Sequence, residues 1–229
     1  MTSPASPRLL SASQHRILVL VAVLASLLFL LLADLREEHD LLVLDRHVQG
    51  ALQTLRTPAL DEAMKTVTKL GSGWVLVPAI GVLTAVFWRH VRPRVADLVA
   101  TGIALAILSH GAKWFVDRPR PNLRPQGYPS GHTFFIVVFC GILLYLLWTC
   151  AASARARRAA LALSVLAVFV VGLSRIYLRA HWLTDVLGSL VGGIGLVIVA
   201  ALWMDWRHRR EHAAEASISP GNGDPVPRT

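Results

Sequence analysis

Six apolar runs, at 17–33, 74–88, 95–116, 133–152, 159–173 and 183–203, constrain this chain more than any other feature. Crossing the roughly 30 Å of bilayer hydrocarbon takes about 20 helical residues, and most of the runs reach or approach that length. Within lipid a chain must satisfy its own backbone polar groups, which leaves helices as the spanning form for runs of this kind. The expected fold class is therefore all-α, an integral membrane bundle of six transmembrane helices. The run at 74–88 is short and needs some of residues 70–73 to reach across, with Trp74 and Trp88 as aromatic anchors at the two interfaces. The first run, 17–33, competes with a signal peptide. Its length, and Leu31 where a cleavage site wants a small residue, make it an uncleaved anchor.

Mean hydropathy of +0.53 and a charged fraction of only 16% exclude a soluble fold with an ordinary core. The net charge of +9 does not point to nucleic acid, because the basic residues come in short clusters between apolar runs. The bilayer and anionic headgroups are the expected partners. One membrane domain, 15–210, is expected between polar tails, 1–14 and 211–229, that read as disordered. Cys140 and Cys150 share one apolar run, about 15 Å apart along a helix, too far to bridge. The sequence specifies no oligomeric state.

Between residues 41 and 70 the pattern is amphipathic. Leu41, Leu44, Val48, Leu52 and Leu55 recur at three or four, and Thr57-Pro58 reads as an N-cap and first helical residue restarting a helix. These are expected as extracytoplasmic amphipathic helices on the membrane surface, the alternative being a hairpin packed only on itself. Six spans place both termini on one side, together with the arginine clusters at 89–94, 155–158 and 207–210. The positive-inside rule makes that side cytoplasmic and turns the loops after the third and fifth spans outward.

Those two loops carry the chemistry. The first, 113–132, reads KWFVDRPRPNLRPQGYPSGH and crowds Lys113, Arg118, Arg120 and Arg124 ahead of Ser130, Gly131 and His132, where a helix should begin. Ser130 as N-cap with Gly131 beside it would offer a helix N-terminus to an anion; a solvated basic turn is the competing reading. The second, 174–185, reads SRIYLRAHWLTD and supplies Arg175, His181 and Asp185. Four residues is one helical turn, so Asp185 can accept the His181 Nδ1–H and leave Nε2 free. A capping carboxylate beside an interfacial histidine is the competing reading here.

Taken together, Lys113, Arg120-Pro121, Pro129-Ser130-Gly131-His132, Ser174-Arg175, His181 and Asp185 stand in the order and spacing of a three-part signature. The chain resembles the type 2 phosphatidic acid phosphatase superfamily in its membrane branch. The resemblance implies a metal-independent phosphatase without cofactor, in which His181 attacks phosphorus to give a phosphohistidine, Asp185 orients it and His132 protonates the leaving oxygen. Lys113, Arg120 and Arg175 would balance phosphate charge, with Ser130 and Gly131 as hydrogen-bond donors. The implied substrate is a lipid phosphate or diphosphate at the extracytoplasmic face. Undecaprenyl diphosphate is preferred, with phosphatidate and phosphatidylglycerophosphate as alternatives. A small transporter is the rival of another class, but transporters gather polar groups near the bilayer midplane, whereas here they lie at helix ends. Outside the signature, Arg118, Arg124 and Arg179 read as membrane-surface arginines, Tyr128 and Trp182 as interface anchors, and His110 as a packing histidine.

Overall fold

The structure, a computed structural model, describes residues 10–35, 38–91, 94–116, 118–150 and 152–218. Among these residues all regular structure is helical: α1 (Ala12–Asp34), α2 (His39–Thr54), α3 (Pro58–Val67) with a 3₁₀ turn at Thr68–Gly71, α4 (Gly73–Val86), α5 (Trp88–Val91), α6 (Val95–Val116), α7 (Gly131–Thr149), α8 (Ala154–Tyr177) and α9 (Leu183–Ile218). By length and apolarity α1, α6, α7, α8 and α9 can each cross a membrane. A sixth crossing exists if Pro58–Gly71 and Gly73–Val86, which meet at a bend of 45°, are counted as one. Alone, the 14 residues of α4 rise about 21 Å and fall short of the hydrocarbon thickness. The second span is therefore a broken one, and the apolar run at 74–88 is only its straight part.

Two boundaries differ from expectation. The first helix starts at Ala12, inside the expected N-terminal tail, because Ser11 caps it: the Ser11 hydroxyl accepts the Gln14 N–H and the Gln14 side chain accepts the Ser11 N–H. The last helix runs on to Ile218, eight residues into the expected C-terminal tail. Salt bridges of Arg207 with Asp97 and Glu211, and of Arg209 with Asp205, support its end. Residues 1–9 and 219–229 lie outside the described residues. The N-cap at Thr57 and Pro58 at the first helical position are as expected, the Thr57 hydroxyl accepting from Leu60 N–H at 3.2 Å.

On α2, Leu44 and Leu55 are exposed, as on a helix that lies on the membrane surface; what the pattern does not suggest is that Asp45 and Gln49 are its buried side chains. This helix is docked on the bundle by a polar face. Asp45 reaches the start of α9, while Gln53 donates to the Tyr177 carbonyl at the end of α8 at 2.9 Å.

Helix α9 is the hub, with α1 and α7 packed along it. In lipid the water-driven hydrophobic effect does not bring helices together, so close van der Waals approach must. Glycines supply it. A methyl at Gly188 would overlap the Tyr128 ring, one at Gly192 would stand 2.6 Å from Phe29, and one at Gly193 would stand 2.7 Å from Val137. Phe29, Tyr128 and Phe134 stack in the space so created, tying α1, the 118–130 loop and α7 against α9. At the far end of the bundle from that loop, Leu10 N–H donates to Asp205 and its carbonyl accepts from Arg209.

Candidate active site

The α6–α7 loop and the α8–α9 loop come together at one end of the bundle, and side chains stitch them. Trp182 Nε1 donates to the Pro119 carbonyl at 2.9 Å, Arg179 donates to Pro121 at 3.2 Å, and Ser130 N–H lies 3.4 Å from the Asp185 carbonyl. Leu123, Gln126 and Arg179 all adopt left-handed φ, at 65°, 61° and 55°. Non-glycine residues in that region cost conformational energy, and all three here fall in these two loops. Gly127 is needed for close approach, since a Cβ there would stand 2.9 Å from the Arg118 carbonyl and 3.2 Å from Asp185 Oδ2.

Every residue of the three-part signature meets in this junction. Lys113 Nζ, near the end of α6, donates to the Pro129 carbonyl at 2.9 Å. Arg120 reaches the Gln126 carbonyl at 3.3 Å, and Arg175, in the last turn of α8, donates to Thr68 Oγ1 at 2.9 Å. Lys113, Arg120, Arg175 and His181 all lie within electrostatic range of His132. Both guanidinium groups keep a buried Nε without a partner. Buried orphan donors on cations are expensive unless a ligand meets them, and burial pushes the Arg120 guanidinium below its ordinary value. The space over Gly131 is open, with no atom within 4 Å of where a Cβ would stand.

Ser130 occupies the N-cap position of α7 but does not cap it. Its hydroxyl is fully buried and accepts from Thr133 Oγ1 at 3.1 Å, so no side chain caps the first turn of α7. The helix begins at Gly131 as expected, with its positive end toward the cations.

Helix α9 starts at Leu183, two residues after His181 and where the sixth apolar run begins, and Asp185 serves its N-terminus: Oδ2 accepts the Trp182 N–H at 2.9 Å. The same oxygen stands 3.5 Å from His181 Nδ1, a contact just outside hydrogen-bond geometry, and Nδ1 has no other partner. His181 is 2% exposed, and burial pushes its pKa down to about 4 against the pull of Asp185. A neutral imidazole is thereby held facing the cations.

Arg118 is not a surface arginine. Only 4% exposed, it donates to Asp185 Oδ1 at 2.9 Å and to Asp45 Oδ2 at 2.6 Å, and it also bonds Thr184 Oγ1. Asp45 in turn accepts the Thr184 N–H at 3.0 Å and its hydroxyl at 2.7 Å. Tyr128 is no interface anchor either. It is wholly buried, donates to the Phe29 carbonyl at 2.6 Å, and has its phenol pKa raised by that burial. His110 is exposed and outside the junction. Reading the sequence missed Asp45, Thr68, Gly71 and Thr184. Nothing around Asp45 distinguishes it from a solvated acid on an amphipathic helix, whereas a glycine pair at 71 and 73 before a span does hint at close approach.

A helical membrane bundle that gathers at one end cations with unmet donors and two histidines has the charge and the donors that a phosphate-like anion requires. Residues 66–209 match the PAP2 superfamily, and the chain belongs to it. Phosphatidylglycerophosphatase B of Bacillus subtilis (strain 168) is 29% identical over 178 residues, covering 73% of this chain and 87% of the relative. The crystal structure described as the first transmembrane PAP2 type phosphatidylglycerolphosphate phosphatase from Bacillus subtilis shares the fold, with a TM-score of 0.71, 24% identity, and coverage of 83% of this chain and 96% of that one. Aquifex aeolicus LpxE aligns with a TM-score of 0.55 and 23% identity over 69% of this chain and 94% of its own.

Proposed function

We propose that this PAP2-superfamily membrane protein hydrolyses a lipid phosphate monoester, of the phosphatidylglycerophosphate kind, through a phosphohistidine on His181. The observation that carries the reading is the convergence of Lys113, Arg120 and Arg175, two of them with buried unpaired Nε atoms, around the His132 and His181 pair. Equatorial phosphoryl oxygens need such charge, supplied in place before the reaction. His181 Nε2 forms the bond to phosphorus as the bond to the lipid oxygen breaks. His132 gives that oxygen its proton, then takes one from the water that attacks the phosphohistidine. As imidazole charge grows, the Nδ1–H closes the 3.5 Å gap to Asp185. Cations carry the phosphate charge in this scheme, so no metal takes part.

A cleft of ≈ 410 Å³ between α4, α6 and α7 suits the apolar chain. Leu76, Ile80, Leu105, Phe139 and Ile142 wall it, and Gly73 and Phe135 are among its lining residues. Gly73 is two residues from Gly71, which lies against His132, and Phe135 is about one turn along α7 from the same histidine. The lipid would thus lie with its headgroup at the cations and its chain in the membrane.

A diphosphate such as undecaprenyl diphosphate, favoured by the sequence alone, would call on cations outside the signature. Arg118 is committed to Asp45 and Asp185 and Arg179 to a backbone carbonyl; Arg124, exposed and within electrostatic range of Arg120, is the cation left for a second phosphate, so the monoester, which needs none of the three, is the better match. The site is assigned to the extracytoplasmic face, because the arginine-rich ends of α8 and α9 lie at the opposite end of the bundle.

Rapid-quench capture of acid-labile, base-stable phosphoenzyme tests the roles. His181→Ala should abolish it together with turnover. His132→Ala should slow its formation from alkyl esters far more than from an aryl phosphate. Phosphoenzyme from His181→Ala but not from His132→Ala would mean that the roles are exchanged.

A further inference from the structure

The reaction scheme above gives work to Asp185 but none to the two buried ionic residues linked to it, Asp45 and Arg118. Asp45, Arg118 and Asp185 are 1%, 4% and 0% exposed, and they form a chain of two ion pairs, at 2.6 and 2.9 Å, that ends beside His181. Two carboxylates share one guanidinium, so the chain carries a formal charge of minus one, and the cations within electrostatic range of it are Lys113 and Arg120 of the phosphate site. Burying such a charge is costly, and a scaffold would be served as well by a simple pair. Asp45 is also placed to hold the geometry. It accepts both the N–H and the hydroxyl of Thr184, the residue before Asp185, and fixes the guanidinium plane from which Asp185 hangs. It comes from α2, a helix that otherwise contributes nothing to the phosphate site.

We infer that Asp45 is a positioning residue for phosphoryl transfer: by claiming half of Arg118 it leaves Asp185 with negative charge to offer the imidazole of His181. Without Asp45, Arg118 pairs with Asp185 alone, and the positive charge that grows on His181 during attack faces a neutralised partner. Attack on phosphorus slows, while the binding of anions to Lys113, Arg120 and Arg175 does not weaken. The inference rests on the phosphohistidine reading and refines which residues serve it.

Asp45→Asn keeps the shape and the bond from the Thr184 N–H, while the amide nitrogen in place of Oδ2 no longer accepts from Arg118 or from the Thr184 hydroxyl, and the charge is removed. In rapid-quench experiments on the purified full-length protein, burst amplitude counts folded sites and burst rate reports attack by each of them. Asp45→Asn should lower the rate per site on the order of 10- to 100-fold, below the roughly 10⁴-fold that follows when the carboxylate bonded directly to a catalytic histidine becomes an amide. Competitive inhibition by inorganic phosphate, which meets the cations without a bond to His181, should be unchanged or tighter, whereas vanadate, which takes up the geometry of the transferring group, should weaken with the rate. A purely structural role predicts a smaller amplitude with the parental rate, and that result, or phosphate inhibition weakened in step with the rate, would overturn the inference. The double variant Asp45→Asn/Arg118→Gln leaves Asp185 its own charge, so its rate should return to within about tenfold of the parent; a larger loss would also overturn it. Should the parent itself yield no phosphoenzyme, the underlying reading fails first and takes the inference with it.

Discussion

Replacing Gly71 by alanine probes His132 without touching either histidine. Gly71 ends the 3₁₀ turn before α4, and a methyl there would stand 2.7 Å from the His132 carbonyl oxygen, 3.0 Å from its Cβ and 3.0 Å from Val171 Cγ1. Ordinary contact begins near 3.5 Å, so the first turn of α7 must retreat by about 0.5 to 0.8 Å. A backbone oxygen cannot rotate out of the way as a side chain can. Displacing a catalytic group by about 1 Å can cost on the order of 10²-fold. Gly71→Ala should therefore slow transfer from an alkyl lipid phosphate roughly 10- to 100-fold, or about 1.4 to 2.7 kcal/mol of barrier. An aryl phosphate leaves without a proton and should be slowed by no more than about threefold. The comparison is made on the pre-steady-state phosphorylation step, because hydrolysis of the phosphohistidine also uses His132. Burst amplitude corrects for any variant lost to overpacking, which costs about 1 to 3 kcal/mol in a tight core. Equal slowing of both substrates would refute the leaving-group role of His132, and parental rates on both would refute the packing argument.

Three further outcomes are expected. Single cysteines at Asn122 and Arg179, in a background lacking Cys140 and Cys150, should react with a membrane-impermeant thiol reagent from outside intact cells, whereas one at Arg89 should not; the opposite pattern would move the site to the inner leaflet. Activity should survive exhaustive chelation and be inhibited by vanadate, and loss with EDTA followed by rescue with magnesium would sink the metal-free scheme. Burial disfavours the imidazolium of His181 and places its pKa near 4, so in an NMR titration its ring signal, assigned by its absence in His181→Gln, should stay neutral through pH 5. A midpoint between 6 and 7 would show that the Asp185 contact outweighs burial.

The helices and the signature were legible because each rests on local pattern. Apolar run length marked six spans, five of them single long helices and the second a bent pair, and the spacing of Lys113, Arg120, His132, Arg175, His181 and Asp185 marked residues that the fold does bring together. What escaped was set by tertiary partners. Arg118 looks like any basic loop residue until Asp45, 73 positions earlier, is seen to receive it. Tyr128 has the composition of an interface anchor, yet Gly188 opens a slot that swallows it. The leucines of α2 follow helical periodicity faithfully, but the bundle offers that helix a polar docking site at the start of α9, and its buried face is the one that an amphipathic pattern assigns to water.

The ribosome delivers this architecture in an awkward order. Helix α9, to which α1 and α7 are fitted, is the last to emerge, and Leu10 waits for Asp205 across 195 positions. Until then α1 is a lone anchor with its phenylalanine turned to lipid, and the α6–α7 loop exists without His181 and Asp185, the proposed nucleophile and its orienting acid. On that proposal, competence for hydrolysis switches on in one late event, the seating of α9, and a chain cut short before Asp185 would sit in the bilayer as an inert half-bundle.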